Sequence, residues 1–375
     1  MQKFKQIHVA LVWPLELSHS IHQGICDYAK LRPLWEIIPI PLNGLSFETI
    51  SKWNTDGMIA ALVQERYKVF ENARYPVVST HASSQIPDSF PQVDEDLAAS
   101  ARLAAETLQR LGHEHFACIY SAASAPSAQF FVSEVEKLGF KVSTFITEHI
   151  RLDGSEEEVA AWLKSLPKPL ALFSPADAVA RSTLKLCLMQ KIAVPDDVAI
   201  LGGQNDRLLC EGITPAISSI ELPYRRIGYE AARTLDQMMQ GKKIKKVTQL
   251  FPPERIVRRA STDTLAVPDP HLRRAVQYIR AHVDEPFDVH ALSLASGLSL
   301  RVLQNRFQKE LNRTPREESQ RAKVDRIKEL LISTDLTLGE IAEQTSFSTE
   351  YYLGSIFKRY ARSTPGQFRK HHRLR

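Results

Sequence analysis

The last hundred residues of this chain contain one local pattern twice, about fifty positions apart, and this repeat constrains the fold more than any other feature. The matching positions are Leu303 and Leu353, Phe307 and Phe357, and the Thr-Pro pairs at 314–315 and 364–365. A repeat of this kind means that one small structural unit is used twice. The C-terminal part of the chain is therefore predicted to hold two copies of the same compact unit.

Each copy has the local pattern of two short helices joined by a tight turn. In the first copy Leu292, Ala295 and Leu298 lie three residues apart, as one face of a helix requires. Gly297 stands where the chain leaves this helix, a position that favours a left-handed backbone. Ser299 then has a side chain suited to cap the next helix. The pattern predicts a helix-turn-helix unit.

The second copy carries its own start and stop signals. Thr337 and Glu340 have the spacing of a capping box, in which each side chain bonds the other residue's backbone. Ser346 stands where the first copy has Gly297. If that site needs a positive φ, the serine costs on the order of 1 kcal/mol.

A connecting helix is predicted between the two copies. Thr314, Pro315 and Glu317 form a helix start, since threonine caps and proline takes the first helical position. Its buried stripe would be Val324, Ile327 and Leu331. A helix of about twenty residues is near 30 Å long, so it would hold two reading helices about one DNA turn apart on the same face.

These residues resemble the DNA-binding domain of the AraC family of bacterial transcription regulators. The resemblance covers roughly 270–372. It includes a leading helix (Leu272, Val276, Ile279, Val283), both helix-turn-helix units, and the ending Phe357-Lys-Arg-Tyr360 with Thr364-Pro365-Gly-Gln-Phe368-Arg369. The resemblance implies that this part of the chain binds a double-stranded DNA operator.

Positive charge is concentrated in the same part of the chain. The whole chain has 48 Lys+Arg and 43 Asp+Glu. Residues 271–375 contain 19 basic and 12 acidic residues, a net of +7, whereas the rest contains 29 and 31, a net of −2. Lysine and arginine contacts to phosphate supply most of the non-specific affinity for DNA. Charge alone is also compatible with ordinary solubility, and the repeat decides between the two interpretations.

The predicted DNA contacts lie on the second helix of each unit, on the face opposite the apolar residues. The predicted base-reading residues are Arg301, Gln304 and Asn305 in the first unit, and Glu350, Tyr351 and Ser355 in the second. Arginine pairs bidentately with guanine, and glutamine or asparagine with adenine. Ser299, Lys358 and Arg359 are predicted to contact phosphate. A purely solvated role for Glu350 and Tyr351 stays open.

The front part of the chain alternates short apolar runs with amphipathic segments. The predicted strands are Ile7–Trp13, Glu36–Ile40, Gly57–Leu62, Pro76–Ser79, Phe116–Tyr120, Val142–Ile146, Leu170–Phe173, Val198–Leu201, Ile217–Leu222 and Val247–Phe251. Helical stretches between them include Leu97–Leu111, Ala178–Met189 and Tyr224–Met239. Strands that alternate with helices favour parallel sheets. About ten strands are too many for one subdomain, so we predict a two-lobed α/β core followed by an all-α domain.

Several stretches of this core resemble the periplasmic-binding-protein core of LacI-type regulators. They include Asp56-Gly57-Met-Ile59, Pro76-Val-Val-Ser79, Val93-Asp-Glu-Asp96 and Pro195-Asp-Asp-Val198-Ala-Ile200-Leu-Gly202. A LacI-type core joined to an AraC-type DNA domain resembles the xylose-operon activator family. The resemblance implies a homodimer that binds a monosaccharide effector, typically a pentose such as xylose. It also implies that the protein activates sugar-utilisation genes and contacts RNA polymerase.

A sugar site needs carboxylates and amides that bond several hydroxyls, plus an apolar or aromatic face. Clefts in such folds form at the carboxyl ends of strands. The predicted ligand-binding residues are Trp13, His19, Asp177, Asn205 and Asp206. The chain departs from the family pattern at Gln204, where the resemblance implies a carboxylate, and at Ser127, where it implies an arginine. A different sugar, or another ligand, therefore stays open.

The sequence has only weak signals for disulfide, metal or catalytic sites. Cys26, Cys118, Cys187 and Cys210 have no paired spacing, which favours reduced packing cysteines. The pairs His19 with His22 and His113 with His115 lack further ligands and are interpreted as surface groups. No cofactor, metal or catalytic site is predicted. The N-terminus lacks a signal-peptide core, and no apolar run reaches about eighteen residues, so we expect a soluble cytoplasmic protein without membrane contact.

The predicted domains are a ligand-binding and dimerisation core over 1–262, a linker over 263–270, and a DNA-binding domain over 271–375. A ligand-responsive regulator is the preferred function. Two alternatives stay open: an architectural DNA binder whose core only dimerises, and a sugar-acting enzyme with a DNA-binding appendix. The enzyme would need a proton-transfer pair beside the cleft, and no sequence feature indicates one.

Overall fold

The computed structural model describes residues 5–11, 16–41, 49, 55–62, 66–147, 155–244, 247–263 and 269–372. Its strands are β1 (Lys5–Leu11), β2 (Trp35–Pro41), β3 (Gly57–Ala60), β4 (Val77–Ser79), β5 (Gln92–Glu95), β6 (His115–Tyr120), β7 (Val142–Ile146), β8 (Leu170–Phe173), β9 (Val198–Gly202), β10 (Ser218–Glu221), β11 (Thr248–Phe251) and β12 (Arg255–Val257). Its α-helices are α1 (Glu16–Ala29), α2 (Leu97–Arg110), α3 (Ala125–Lys137), α4 (Ser155–Ser165), α5 (Asp177–Met189), α6 (Arg207–Glu211), α7 (Tyr224–Met239), α8 (Pro270–Ala281), α9 (Val289–Ser296), α10 (Leu300–Leu311), α11 (Pro315–Ser333), α12 (Leu338–Gln344), α13 (Glu350–Ala361) and α14 (Pro365–His372).

The described strands form two six-stranded sheets, one in each lobe. The first sheet has the order β11-β5-β4-β3-β1-β2, and the second has the order β12-β10-β9-β8-β6-β7. All described strand pairs are parallel except β10 with β12. The chain passes between the sheets three times, after β5, after β10 and after β11. The predicted two-lobed parallel α/β core is therefore confirmed.

The central strands are apolar because helices cover both faces of each sheet. Every residue of β3, β8 and β9 is buried. A strand buried on both faces has no alternation of polar and apolar residues. This explains why the sequence shows these strands as continuous apolar runs.

Two strands were absent from the sequence-based prediction. β5 ends in acidic residues and β12 begins with an arginine, so neither has a continuous apolar run. Both nevertheless pair with neighbours, β5 with β11 and β12 with β10. These strands flank two of the three crossings between lobes, where polar residues line the junction.

In the first lobe, α1 and α7 cross at close range because glycines face each other's backbone. A Cβ atom on Gly228 would lie 1.9 Å from the carbonyl oxygen of Ile21, and one on Gly24 would lie 1.8 Å from that of Arg225. Any larger side chain would force the two helices apart. The same crossing holds a polar network in which Tyr28 and Arg32 donate hydrogen bonds to Asp236, each at 2.8 Å.

The C-terminal helices form a separate all-α domain with two apolar cores. The first core contains Leu272, Ala275, Val276, Ile279, Leu292, Leu303 and Phe307. The second contains Val324, Ile327, Leu330, Leu331, Ile341, Ala342, Leu353, Ile356 and Phe357. The repeated leucines and phenylalanines occupy equivalent places, so the prediction of one unit used twice is confirmed.

The connection between core and helical domain lies partly outside the described residues, because residues 264–268 are not described. Asp269 caps α8 by accepting a hydrogen bond from the backbone N–H of His271 at 2.9 Å. Pro270 is the first residue of α8, so this helix begins one residue before the expected start of the DNA-binding domain. Proline at the first helical position loses no hydrogen bond that an internal residue would make.

Two side chains of α8 contact the second lobe. The carboxylate of Asp196 accepts a hydrogen bond from Gln277 at 2.9 Å, and its carbonyl oxygen accepts one from Arg273 at 3.2 Å. In the part of the chain that the structure describes, we find no helix with the length and apolar character that a bilayer span requires.

Candidate functional site

The first helix-turn-helix unit consists of α9 and α10. Asp288 caps α9 by accepting hydrogen bonds from the backbone N–H groups of His290 and Ala291. Gly297 ends α9 with φ at 70°, so the left-handed turn predicted there is confirmed. Ser299 holds the cap position of α10, but its side chain makes no capping hydrogen bond. The predicted side-chain cap at Ser299 is therefore wrong.

The second unit consists of α12 and α13. Thr337 and Glu340 form the reciprocal capping box that their spacing predicts. Ser346 has φ at 53°, so it adopts the left-handed backbone conformation that Gly297 has at the equivalent position of the first unit. Its hydroxyl donates to the carbonyl oxygen of Asp284, which offsets part of the backbone strain. Thr349 caps α13.

The second helix of each unit has one buried and one open face. Leu303, Phe307, Leu353 and Phe357 are fully buried. The predicted base-reading residues are all exposed: Arg301, Gln304, Asn305, Glu350, Tyr351 and Ser355. Among the described residues none of these six side chains has a hydrogen-bond or ion-pair partner. Tyr351 is 86% exposed, which is unusual for an aromatic residue that serves only packing.

The predicted phosphate contacts surround the same faces. Lys358 and Arg359 lie in the last turn of α13 and are exposed. The Arg359 guanidinium lies 5.6 Å from the centre of the Tyr360 ring, and Arg321 approaches the same ring at 5.2 Å. Ser299 is exposed at the start of α10, where backbone N–H groups attract an anion.

A rigid helix joins the two units. α11 has 19 residues and begins at the predicted helix start, where Thr314 and Glu317 form a reciprocal capping box. At 1.5 Å per residue it is about 28 Å long, somewhat less than the ~34 Å of one DNA turn. The predicted buried residues Val324, Ile327 and Leu331 lie in the second core, so α11 is fixed to the second unit.

Two basic side chains that sequence reasoning missed hold the second unit together. Lys323 is buried and donates to the carbonyl oxygen of Thr345 at 2.7 Å, at the end of α12. Burial lowers the pKa of Lys323. Arg369 donates to the carbonyl oxygens of Leu331 and Leu336. Arginine and lysine are mostly exposed in proteins, and no local pattern in the sequence distinguishes these two from the others.

The second lobe presents a loop over residues 203–206, at the carboxyl end of β9. Asp177 lies under this loop and is completely buried. Its carboxylate accepts hydrogen bonds from the backbone N–H of Gly203 at 3.0 Å and of Asp206 at 2.7 Å, and from the Ser219 hydroxyl at 2.7 Å. Burial raises the pKa of Asp177, and these hydrogen bonds oppose that effect. A Cβ atom on Gly202 would lie 2.1 Å from the carboxylate, so glycine is required there.

Asp177 therefore cannot contact a ligand in this conformation, contrary to its predicted role. The residue types matched a sugar site, but the carboxylate is used to shape the loop. Asn205 and Asp206 lie on that loop and are half-buried. Asn205 has φ at 49°, and its side-chain oxygen accepts a hydrogen bond from Arg259 at 2.9 Å. Asp206 caps α6.

Of the two remaining predicted ligand residues, only His19 is described, and it lies in the first lobe. His19 is exposed on α1 rather than in a loop, and Trp13 lies outside the described residues. Ser127, which stands where the family resemblance implies an arginine, is half-buried on α3. The structure brings Asn205 and Asp206 together, while the direct ligand contacts remain predictions.

A carboxyl group at the lobe crossing was missed by sequence reasoning. Glu95 ends β5 at the crossing into the second lobe. Burial raises its pKa to about 8, and the neighbouring charges of Asp94 and Asp96 add to the effect. Its side chain has no hydrogen-bond partner among the described residues. Burial and the charge of Glu95 raise the pKa of the buried Tyr224 hydroxyl, whereas Gln204 of the second lobe lowers it.

The signal for Glu95 in the sequence is its place at the carboxyl end of a strand. The position of Glu95 at a strand end could not be inferred, because β5 itself was not predicted. A protonated carboxylic acid at neutral pH can donate a hydrogen bond as well as accept one. Glu95 and Gln204 thus offer polar groups from both lobes at their junction.

The buried histidine and the buried cysteines that were considered as other candidate groups serve packing. His113 is buried at the start of the second lobe, where burial lowers its pKa to about 4. The interpretation of His113 as a surface residue is wrong. Within the described ranges no three His, Cys, Asp or Glu side chains are grouped as a metal site would require. The four cysteines are free thiols.

Comparison with known proteins finds a matching family for each of the two parts of the chain. Residues 105–262 match the periplasmic binding protein-like domain family, and residues 292–371 match the helix-turn-helix domain family. The chain is 28% identical over 368 residues to the xylose operon regulatory protein of Haemophilus influenzae, covering 94% of this chain and 95% of that protein. It is 27% identical to the protein of the same name from Escherichia coli K12, covering 94% and 93%.

Solved structures agree with this assignment at the level of fold. The structure of the xylose-binding transcription activator XylR matches with a TM-score of 0.65 and 23% identity, covering all of both chains. The order of domains, two-lobed core first and helical domain second, is therefore shared over the full length. The chain is homologous to the xylose operon regulatory proteins and is a DNA-binding transcription regulator that joins a periplasmic-binding-protein-like core to an AraC-type helix-turn-helix domain.

Proposed function

We propose that this protein is a sugar-responsive transcription regulator whose core binds a monosaccharide between its lobes and whose helical domain binds a double-stranded DNA operator. One observation carries the DNA assignment. Two helix-turn-helix units, fixed by a 19-residue helix, expose six polar or aromatic side chains that have no protein partner among the described residues. Side chains with free donors and acceptors on such helices read base edges in the major groove.

A pentose is the proposed effector, and xylose is the first to test. The full-length relatives are named for the xylose operon. Asn205, Asp206, His19 and Trp13 are the proposed contacts, and the half-buried Glu95 adds a group that donates and accepts. Sugar hydroxyls need both kinds of partner. The direct contact proposed from sequence for Asp177 is replaced by a positioning role, because its oxygens are already occupied.

The proposed mechanism is a change in the angle between the lobes when the sugar binds. A ligand shifts such an equilibrium only by its difference in affinity for the two states. A homodimer would turn this change into a new spacing of its DNA domains, and contact with RNA polymerase would turn the new spacing into activation. The proposed domain boundaries are a core over 1–262, a linker over 263–270 and a DNA-binding domain over 271–375. The protein would act in the cytoplasm, where its operator lies.

A thermal-shift screen with pentoses and hexoses tests the sugar assignment. A ligand that binds only the folded state stabilises by about 2.7 kcal/mol at a hundred times its Kd, so D-xylose should raise the Tm of the parent. Asn205→Ala should reduce this shift, whereas Lys185→Ala on the outer face of α5 should leave it unchanged. A panel without any shift would favour an architectural DNA binder, and turnover of a sugar would favour an enzyme.

A further inference from the structure

The junction between the core and the DNA-binding domain is polar. None of the apolar clusters among the described residues contains side chains from both domains. A cavity of about 570 Å³ separates the end of the core from α11 and is lined mainly by charged residues, among them Arg258, Arg280 and Arg321. Individual polar contacts therefore determine the orientation of the DNA-binding domain relative to the core.

The segment that leaves the core is bonded tightly to the second lobe. The Ser218 hydroxyl donates to the carbonyl oxygen of Arg259 at 2.9 Å and accepts from its backbone N–H at 2.7 Å. The Ser261 hydroxyl donates to the carbonyl oxygen of Ile200 at 2.6 Å, and the Thr262 hydroxyl donates to Ser218 at 2.6 Å. These hydrogen bonds attach the segment to β9 and β10, and the 203–206 loop directly follows β9.

The side chain of Arg259 is directed at that loop. Its guanidinium donates to the side-chain oxygen of Asn205 at 2.9 Å, to the carboxylate of Glu211 at 2.9 Å and to the carbonyl oxygen of Ile217 at 2.8 Å. The side chain is only 11% exposed. With its oxygen held, Asn205 keeps two N–H donors that no described residue takes up.

The preceding side chain, Arg258, is directed at the DNA-binding domain. Its guanidinium forms an ion pair with Asp325 of α11 at 3.3 Å, with the two side chains 41% and 39% exposed. The backbone at Arg259 is extended, with φ at −139° and ψ at −173°. An extended chain sends consecutive side chains to opposite sides, so one dipeptide reaches both the loop and α11.

The other described contacts of the junction do not reach this loop. Arg280 of α8 forms an ion pair with Asp263 at 3.0 Å, at the end of the segment that leaves the core. Arg273 and Gln277 bind Asp196, which precedes β9 and so lies at the end of the sheet opposite residues 203–206. We propose that Arg258 and Arg259 are positioning residues that couple the 203–206 loop to the helix between the two DNA-reading units. This inference rests on the proposed function, because the loop carries the proposed ligand contacts Asn205 and Asp206.

Hydrogen exchange of the full-length protein without sugar or DNA tests the coupling, read by mass spectrometry on peptides that cover residues 203–206. Asp325→Arg places a positive charge against Arg258. We expect exchange in the loop to rise by roughly 1.5- to 5-fold, the range that an exposed ion pair supports. The double variant Arg258→Asp with Asp325→Arg restores an opposite-charge pair, so loop exchange should return to that of the parent.

Glu343→Arg, an exposed position of α12 with the same change in charge, is the matched control and should leave the loop unchanged. Equal loop exchange in Asp325→Arg and the parent would overturn the proposal. So would a rise that the charge swap does not reverse, because the effect would then come from general destabilisation. Calorimetry with D-xylose decides the sugar assignment separately, so failure of that assignment leaves the exchange result interpretable.

Discussion

At the scale of single residues, the same type of side chain serves different purposes according to its surroundings. Asp177 and Glu95 are both carboxylic acids near the junction of the lobes. Asp177 accepts hydrogen bonds from the loop above it and shapes the backbone. Glu95 has no such donors among the described residues, and burial therefore dominates its ionisation. Sequence reasoning chose Asp177 for ligand contact because it cannot see which donors surround a carboxylate.

Glu95→Gln should make the stability of the protein less sensitive to pH. The pKa of Glu95 in the folded protein is about 8, above its ordinary value of 4.5. The folded state then binds the proton more tightly than the unfolded state, so stability falls as pH rises from about 4.5 to about 8. Glutamine carries no such charge. At pH 8 the free energy of unfolding of the variant should therefore exceed that of the parent by roughly 1–3 kcal/mol.

Urea unfolding at pH 5 and pH 8 measures this difference. Glu106→Gln, on the exposed side of α2, is the control and should follow the parent at both values. Parallel pH profiles for the parent and Glu95→Gln would show that the carboxyl group is ionised at little cost.

Arg301→Ala should weaken operator binding by roughly 1–3 kcal/mol and relax the preference at one base pair. Arg301 is exposed at the start of α10 and has no protein partner among the described residues. Binding titrations with the parent operator and with single-base variants measure both effects. Lys309→Ala, at the far end of the same helix, should keep the base preference. Unchanged affinity and footprint for Arg301→Ala would remove this residue from the interface.

At the scale of elements, capping signals and buried stripes account for the helical domain. Thr337 and Glu340 form the capping box that their spacing predicts, and Thr314 and Glu317 form a second one at the predicted start of α11. Such signals work because a cap involves residues three positions apart, whatever the rest of the fold does. β5 has no comparable local signal, because an edge-proximal polar strand is defined only by its partners.

Lys323→Met should destabilise the second helix-turn-helix unit by roughly 1–3 kcal/mol, because the buried carbonyl oxygen of Thr345 would lose its donor. Methionine keeps most of the side-chain volume, so packing should change little. Urea unfolding reports the loss, and hydrogen exchange should locate it in α12 and the turn that follows. Lys309→Met on the surface of α10 should change stability by less than about 0.5 kcal/mol. Equal losses in the two variants would contradict the role of Lys323.

At the scale of the whole molecule, charge and function are divided between the two parts. The last 105 residues carry a net of +7, and the rest carries −2. Two reading units that each bind three to five phosphates would release a matching number of counterions. The slope of log K against log salt concentration should then be roughly −5 to −9.

Lys358→Gln should make this slope shallower by about 1, because one phosphate contact is lost. Lys30→Gln, an exposed position of the core, should leave the slope unchanged. Titrations of a promoter duplex at several salt concentrations provide the measurement. Affinity that does not vary with salt would contradict phosphate binding by the helical domain.

The repeat, the capping box at Thr337 and Glu340, the connecting helix and the two parallel lobes follow from the sequence by itself, because each depends on residues close in the chain or on the period of apolar positions. The roles of Asp177, Arg259 and Lys323 were decided only by the tertiary structure. Arg259 meets Asn205 across 54 positions, and Lys323 meets Thr345 across 22. Whether a charged side chain is solvated, buried or bonded depends on what the folded chain brings to it, and desolvation leaves no local pattern in a sequence.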